Sequence, residues 1–403
     1  MSVSAALFPQ AYLQARDRYR AFMEEHVYPA ERALDAEDAA ADALVAALQA
    51  KAREAGLWAP HVPPEAGGSG DGFLYYACVN EEIGRCWWAQ LAFGCQAPDA
   101  GNAEILHLFG TPEQKARFLA PLVAGEVRSF FSMTEPDVAG SDPTTLTTRA
   151  VRDGDEWVID GEKWFSSGAD GAAFAIVFAI SDPGAEPHRR GSMILVPVDT
   201  PGVDVVEPIS VMGHRGRGWN THCRVTYRGV RVPTSNTLGE PGDAFRIAQR
   251  RLGPGRIHHV MRWLGQMQRA FELMCAYANE REAFGGPLAD KQTVQNWVAD
   301  SAAEIQACRL LTMDTARRID EGSEARVEVS MLKFFAARVL NDVIDRAIQV
   351  HGARGLTDET PLAQMALHAR GGRIYDGPDE VHRMVVARRI LKSFRAGDGW
   401  QFS

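Results

Sequence analysis

The 403-residue sequence has no excess of positive charge: 43 Lys and Arg stand against 52 Asp and Glu, a formal net charge of -9. Nucleic-acid partners want a basic face, so that class is excluded. No apolar run approaches the length of a membrane span. The opening Met1-Ser2-Val3-Ser4-Ala5-Ala6 lacks the basic and apolar regions of a signal peptide, and the closing Gln401-Phe402-Ser403 is not a peroxisomal tripeptide. Cysteine is sparse, and the six thiols (Cys78, Cys86, Cys95, Cys223, Cys275, Cys308) include no C-x-x-C. That pattern predicts reduced, mostly buried thiols in a cytoplasm, with neither a disulfide framework nor a zinc site. His258 and His259 are neighbours, diverge by about 100° on a helix, and make no i, i+4 metal pair. A G-x-G-x-x-G in a βαβ setting is also missing, which closes the Rossmann route to a dinucleotide. No internal repeat or low-complexity segment occurs.

What is present describes a globular chain: 46% of residues are hydrophobic and 24% charged. The length predicts two or three domains. Residues 1-128 read as helices, with Tyr12, Tyr19, Phe22 and Met23, then Leu44, Leu48 and Ala52, at helical spacing. Residues 57–70 are loop, and a helix carries Glu81-Glu82-Ile83-Gly84-Arg85. Thr111-Pro112-Glu113-Gln114 opens a further helix with Pro at its first position. Residues 129-240 read as a compact antiparallel β domain, with strands at 146–151, 157–159, 172–180, 192–198 and 223–227. Asp153-Gly154 and Asp160-Gly161 mark hairpin turns. Residues 241-403 are helical again, with long apolar periodicities over 244–280, 293–319 and 327–349. The α–β–α order predicts an α+β fold, a C-terminal four-helix bundle carrying a β domain.

One segment stands out for chemistry: Tyr375-Asp376-Gly377-Pro378-Asp379-Glu380-Val381-His382-Arg383. A carboxylate on a bend at a helix start can act as a general base beside backbone N–H groups that bind an anionic oxygen. The alternative is an ordinary helix N-cap, which Asp fills routinely. A second segment, Phe131-Ser132-Met133-Thr134-Glu135-Pro136-Asp137-Val138-Ala139-Gly140-Ser141-Asp142, is dense in small residues and hydroxyls. It suits close approach to a polar heterocycle or a phosphate, and equally a plain Ser/Asp turn.

That second segment resembles the first signature of the acyl-CoA dehydrogenases, a family of FAD enzymes. Gly161-Glu162-Lys163-Trp164-Phe165-Ser166-Ser167-Gly168 is similar to the family's next flavin-contact segment. Arg281-Glu282-Ala283-Phe284-Gly285 with Gln292 resembles the segment that reaches a neighbouring subunit's FAD. Gln349-Val350-His351-Gly352-Ala353-Arg354-Gly355-Leu356 resembles the second signature. The loop 62–70 and Gly110-Thr111-Pro112-Glu113-Gln114 match the N-terminal domain, so the likeness spans nearly the whole chain in order.

The resemblance implies that Met133, Thr134, Gly140, Ser141, Phe165, Ser167 and Pro378 contact FAD, with Ser141 also near the acyl-CoA. Phe165 stands where the family usually has Trp, and Ser167 where it has Thr; Trp164 next door competes for the stacking role. Arg281, Phe284, Gln292, Gln349 and Gly352 are assigned to a partner chain's FAD, which implies a homodimer or homotetramer. An ion pair of Arg281 with Glu280 or Glu282 is the plain alternative, as is an ordinary helix end for Gln349. Asp376 falls on the family's catalytic Glu, with Arg256 beside it, and Tyr375 and Gly377 line the acyl-CoA site. The base takes the α-proton of an acyl thioester while a hydride passes from the β-carbon to flavin N5, and enclosure should raise its pKa. Electron-transferring flavoprotein is the implied acceptor.

Asp is one bond shorter than Glu, about 1.5 Å. The pocket is closer, the enzyme slower, or the reaction different. Some members carry the base near Arg256, at the position of Gly255 here, and neither His258 nor His259 matches a family base. The stretches 250–259, 376–382 and 95–102 resemble the branch of family members ten and eleven, without their fused kinase-like domain. That branch admits 4-hydroxyacyl-CoA or its phosphorylated form. Asp99 would then accept a hydrogen bond from the 4-hydroxyl, or else cap a helix. The rival functions are a flavin oxidase of the nitroalkane oxidase type, and a weakly catalytic acyl-CoA or FAD-binding scaffold.

Overall fold

The structure, a computed structural model, describes residues 8–401; the targeting readings at the two termini fall outside them, apart from Gln401. The chain forms two compact units, each built from separated stretches. One combines residues up to Pro29 with Asp71–Gln90 and everything from Gly255 onward; the other combines Ala30–Gly70 with Leu91–Pro254. The helical block read over 1-128 is thus divided between them. The longer helices among the described residues are α1 (Gln10–Phe22), α2 (Ala39–Glu54), α3 (Gly72–Ile83), α4 (Asp99–Phe109), α5 (Ala244–Glu280), α6 (Gln292–Asp320), α7 (Arg326–His351), α8 (Leu362–Gly371) and α9 (Asp379–Ala396).

In the helical unit, α7 buries Leu332, Ala336, Val339, Leu340, Val343 and Ala347, steps of three and four that make one apolar face. Helices α3 and α5 cross at glycine contacts. A Cβ on Gly84 would lie 2.3 Å from the Arg262 carbonyl oxygen, and one on Gly265 would lie 2.2 Å from that of Glu81. Only glycine allows backbones so close, and the crossing fixes α5 at residues 262 and 265. Arg309 of α6 donates to both carboxylate oxygens of Glu81 on α3.

In the other unit, the described residues form an eight-stranded sheet in the order β6-β7-β3-β2-β4-β5-β8, with β1 beside β4. Its strands are β1 (Ser129–Ser132), β2 (Arg149–Asp153), β3 (Glu156–Ser167), β4 (Phe174–Ile180), β5 (Gly191–Pro197), β6 (Val203–Pro208), β7 (His222–Pro233) and β8 (Thr237–Leu238). Strands β4 and β5 are buried on both faces. Phe174, Ile176 and Phe178 point to a core shared with α4, and Ala175, Val177 and Ala179 to one shared with β3 and β7. The capping box at Thr111 and Gln114 forms as its sequence implies.

Two sequence expectations fail here. The sheet is not purely antiparallel, because β1 and β2 both pair with β4 in parallel. Parallel neighbours need long connections, and residues 133–173 (β1 to β4) and 154–173 (β2 to β4) supply them. Asp160-Gly161 is not a hairpin turn; it lies inside β3, at a bulge between Ile159 and Gly161. Gly161 has φ +153, and a Cβ there would meet the Thr148 hydroxyl at 2.5 Å, so the glycine serves close backbone approach. No described helix is long and apolar enough to cross a membrane, and none of the six cysteines forms a disulfide among the described residues.

Candidate active site

The loop that carries Asp376 lies wholly in the helical unit. Asp376 has φ +53 and Gly377 φ +103, and the chain then enters α9, whose N-cap is Pro378. Asp376 is therefore not a helix cap; it is the bend ahead of one. Asp tolerates the left-handed region better than most residues with a side chain. Gly377 has no such alternative, since a Cβ there would sit 2.7 Å from His382 Nε2. Cationic and imidazole donors hold the backbone. Arg256 Nε and His382 Nε2 donate to the Asp376 carbonyl at 2.7 and 3.1 Å. The fully buried Lys333 donates to the carbonyls of Gly377 and Gly372 at 3.0 and 2.6 Å. Gly255 faces the carboxylate, a Cβ built on it lying 3.5 Å from Asp376 Oδ2.

The Asp376 side chain is one-fifth exposed, and its Oδ2 lies 3.0 Å from His259 Nε2. The other ring nitrogen, Nδ1, lies 2.7 Å from Arg262 Nη2. The His259 ring is 4.6 Å from that of Tyr375 and stacks towards Trp263. Its neighbour His258 turns the other way, packing on Phe73 and Tyr76. Sequence reasoning weighed His259 only as a base and missed Arg262; the signal was the three-residue spacing Arg256, His259, Arg262 along one stretch of α5.

In the β unit, the loop after β1 is fastened to β3. The Trp164 N–H donates to the Thr134 carbonyl at 2.7 Å, and Lys163 Nζ donates to the Met133 carbonyl at 2.8 Å and to Glu135 at 2.9 Å. Glu135 also accepts from the Thr147 N–H and hydroxyl and the Thr148 N–H. Burial raises its carboxyl but the Lys163 charge and these bonds outweigh it, leaving it at about 2. Phe165 occupies a second bulge of β3 at φ +50, and the residue is 41% exposed. Trp164 packs beside it, 4.9 Å away, and the Ser167 hydroxyl meets His222 Nδ1 at 2.7 Å. Gly140 and Ser141 are exposed, and a Cβ on Gly140 would press the Thr134 methyl at 3.1 Å.

Back in the helical unit, Arg281 precedes a two-stranded hairpin, β9 (Glu282–Ala283) and β10 (Gly286–Pro287). Its turn residues Phe284 and Gly285 both have positive φ, +51 and +82. A bulky side chain in that region is strained by about 1–3 kcal/mol, yet Phe284 is 99% exposed. Arg281, Gln292, Gln349 and Gly352 are exposed as well. Neither Arg281 nor Gln349 makes a side-chain hydrogen bond among the described residues, so the ion-pair alternative for Arg281 does not form.

Asp99 departs from both readings offered for it. It opens α4 without capping it, and its carboxylate is spent inside the β unit: Oδ1 accepts from the Ser129 N–H and hydroxyl at 2.7 and 2.6 Å, Oδ2 from Gln96 at 2.9 Å. Burial pushes the carboxyl above its usual value while these bonds pull it back. A carboxylate holding β1 in this way is a poor acceptor for a substrate hydroxyl. Asp99→Ala should lower stability by about 1–3 kcal/mol through the orphaned Ser129 donors and leave any acyl preference unchanged. Unaltered unfolding midpoints would overturn that account.

Comparison with known proteins identifies the family. Sequence profiles of the family match in order: acyl-CoA dehydrogenase N-terminal domain at residues 10–126, middle domain at 130–230 and C-terminal domain at 242–391. The probable acyl-CoA dehydrogenase FadE2 of Mycobacterium tuberculosis is 47% identical, over 93% of this chain and 94% of its own. Acyl-CoA dehydrogenase family member 11 of Rattus norvegicus is 41% identical over 93% of this chain, which spans only 50% of that longer relative. A putative acyl-CoA dehydrogenase structure from Mycobacterium abscessus superposes with a TM-score of 0.91 at 40% identity, covering 96% of this chain and 99% of the other. By these matches over nearly its whole length, the chain belongs to the acyl-CoA dehydrogenase family of oxidoreductases.

Proposed function

We propose that this chain is an FAD-dependent enzyme that converts an acyl-CoA thioester to its trans-2-enoyl-CoA, with Asp376 as the base. The observation that carries the reading is the base loop: a carboxylate fixed at a left-handed bend by three side-chain donors to its backbone. The residues suit the cofactor. In the β unit, Phe165 offers an exposed ring at a bulge, and Thr134 has its backbone fastened while its hydroxyl has no hydrogen-bond partner among the described residues. In the helical unit, Arg281 and Gln349 present uncommitted donors for phosphate and adenosine groups. When bound, the flavin supplies the acceptor for the β-hydride.

The rest falls to the chain. Asp376 takes the α-proton, and the N–H of the same residue donates to the thioester carbonyl as charge develops there. Tyr375 and Gly377 border the acyl group, and Met133, Gly140, Ser141, Ser167 and Pro378 complete the cofactor and CoA contacts. Electron-transferring flavoprotein removes the electrons, and a reducing compartment such as a cytoplasm suits the thiols. Anaerobic flavin reduction across a series of acyl-CoA thioesters, 4-hydroxyacyl and phosphorylated forms included, tests the reading. No reduction by any thioester would sink it.

The exposed hairpin supports an assembly of at least two chains, most simply a tetramer of two dimers, in which Arg281 and Phe284 serve a neighbour's cofactor. Arg281→Ala removes a charge-assisted bond of about 1.5–3 kcal/mol, so FAD affinity should fall roughly tenfold or more and the assembly should loosen. Gel filtration with light scattering and flavin titration read both. A fully flavinylated monomer would refute the arrangement.

A further inference from the structure

We propose that His259 is a positioning residue for the base: a neutral imidazole, its tautomer imposed by Arg262, that donates one hydrogen bond to the Asp376 carboxylate. The inference rests on the reading of Asp376 as base and adds a device to it. A guanidinium has donors and no acceptor. The buried Arg262 therefore donates to His259 Nδ1, at 2.7 Å, and Nδ1 cannot carry a proton. The ring proton must sit on Nε2, which points at Asp376 Oδ2 over 3.0 Å. Burial, outweighing the attraction of Asp376, holds His259 down to about 4, so the ring stays neutral near pH 7.

The other charged and titratable groups around it act elsewhere. On α5, Arg256 donates to the Asp376 carbonyl; on α7, Lys333 donates to the carbonyls of Gly372 and Gly377. At the head of α9, His382 also donates to the Asp376 carbonyl, and Asp379 pairs with Arg373. Tyr375 packs its ring on His259. Those donors fix the backbone of the loop, and His259 fixes the carboxylate itself. A hydrogen bond to the charged form also lowers a carboxyl's pKa. The dyad thus gives the short base one orientation and keeps it ionised and ready to accept a proton.

Two measurements test the dyad. In the oxidised holoenzyme with 15N-labelled histidine, long-range proton–nitrogen spectra, assigned by difference with His259→Gln, should show His259 protonated at Nε2 only, between pH 6 and 8 on the order of the neutral range. In Arg262→Met the same resonances should lose that single tautomer. Second, the pH profile of anaerobic flavin reduction by acyl-CoA should keep its acid limb in His259→Gln, whose amide can still donate. In His259→Leu the limb should move up by about one pH unit, because the carboxylate has lost a donor. An Nδ1-protonated or charged His259, or an unmoved limb in His259→Leu, would overturn the proposal. If no thioester reduces the wild-type flavin, the function fails while the spectra still decide the dyad.

Discussion

Asp376→Asn is expected to keep its fold and its flavin while the rate of flavin reduction by acyl-CoA falls about 100- to 10,000-fold. The size follows from losing a general base, and the retained fold follows from how the loop is held. Arg256, His382 and Lys333 grip carbonyl oxygens of residues 376 and 377, which the substitution leaves in place. Asn tolerates φ +53 at least as well as Asp, and its amide oxygen can take the His259 hydrogen bond. Asp376→Glu is the harder change. His259 Nε2 already stands 3.0 Å from the carboxylate, so a further methylene must swing it off that partner. Stopped-flow reduction under argon measures both; near wild-type rates in the Asn variant would mean another group takes the proton.

Lys163→Met should lower stability by about 3–5 kcal/mol, the cost of leaving one half of a buried ion pair alone. Both side chains are almost wholly buried, at 0% and 2% exposure. The Met133 carbonyl also loses its donor, so the Thr134 loop should loosen from β3 and flavin content should drop with stability. The pair also sets an acid dependence. Glu135 is held at about 2, below its ordinary 4.5, so its contribution is complete above pH 4.5 and is lost as the pH falls from 4.5 towards 2. The gap between wild-type and variant denaturant midpoints should therefore be full at pH 7 and narrower at pH 3. Equal midpoints at pH 7 would show that the pair contributes nothing.

The long helices could be read almost to the residue: α6 and α7 each bury one apolar face that the period carries, and α5 is periodic at its ends although residues 260–267 are buried all round. The β unit was harder. Asp160-Gly161 has the local chemistry of a turn, but β7 pairs with β3 on both sides of it, Val230 with Ile159 and Tyr227 with Gly161. Tertiary pairing overrode the dipeptide. Strand β1 went unread because it is four residues long, and its parallel partner begins more than forty residues later. Asp376 was singled out by its motif, whereas the contacts of Asp99 depend on Ser129, thirty positions away, and no local pattern announces them. His259 was judged only as a candidate base; its bond to Asp376 spans 117 positions.

Gly255 and Asp376 lie 121 positions apart in the chain, yet a side chain on the first would grow towards the carboxylate of the second. One charge therefore has two addresses. A lineage that gained an acid at 255 while keeping Asp376 would hold two carboxylates in one place, where like charges force them to share a proton. Such an intermediate still owns a base, so either acid could later be lost without chemistry lapsing in between. Descent along this path would leave enzymes with the same reaction and different catalytic positions, and aligning sequences on residue 376 alone would mistake some of them for inactive.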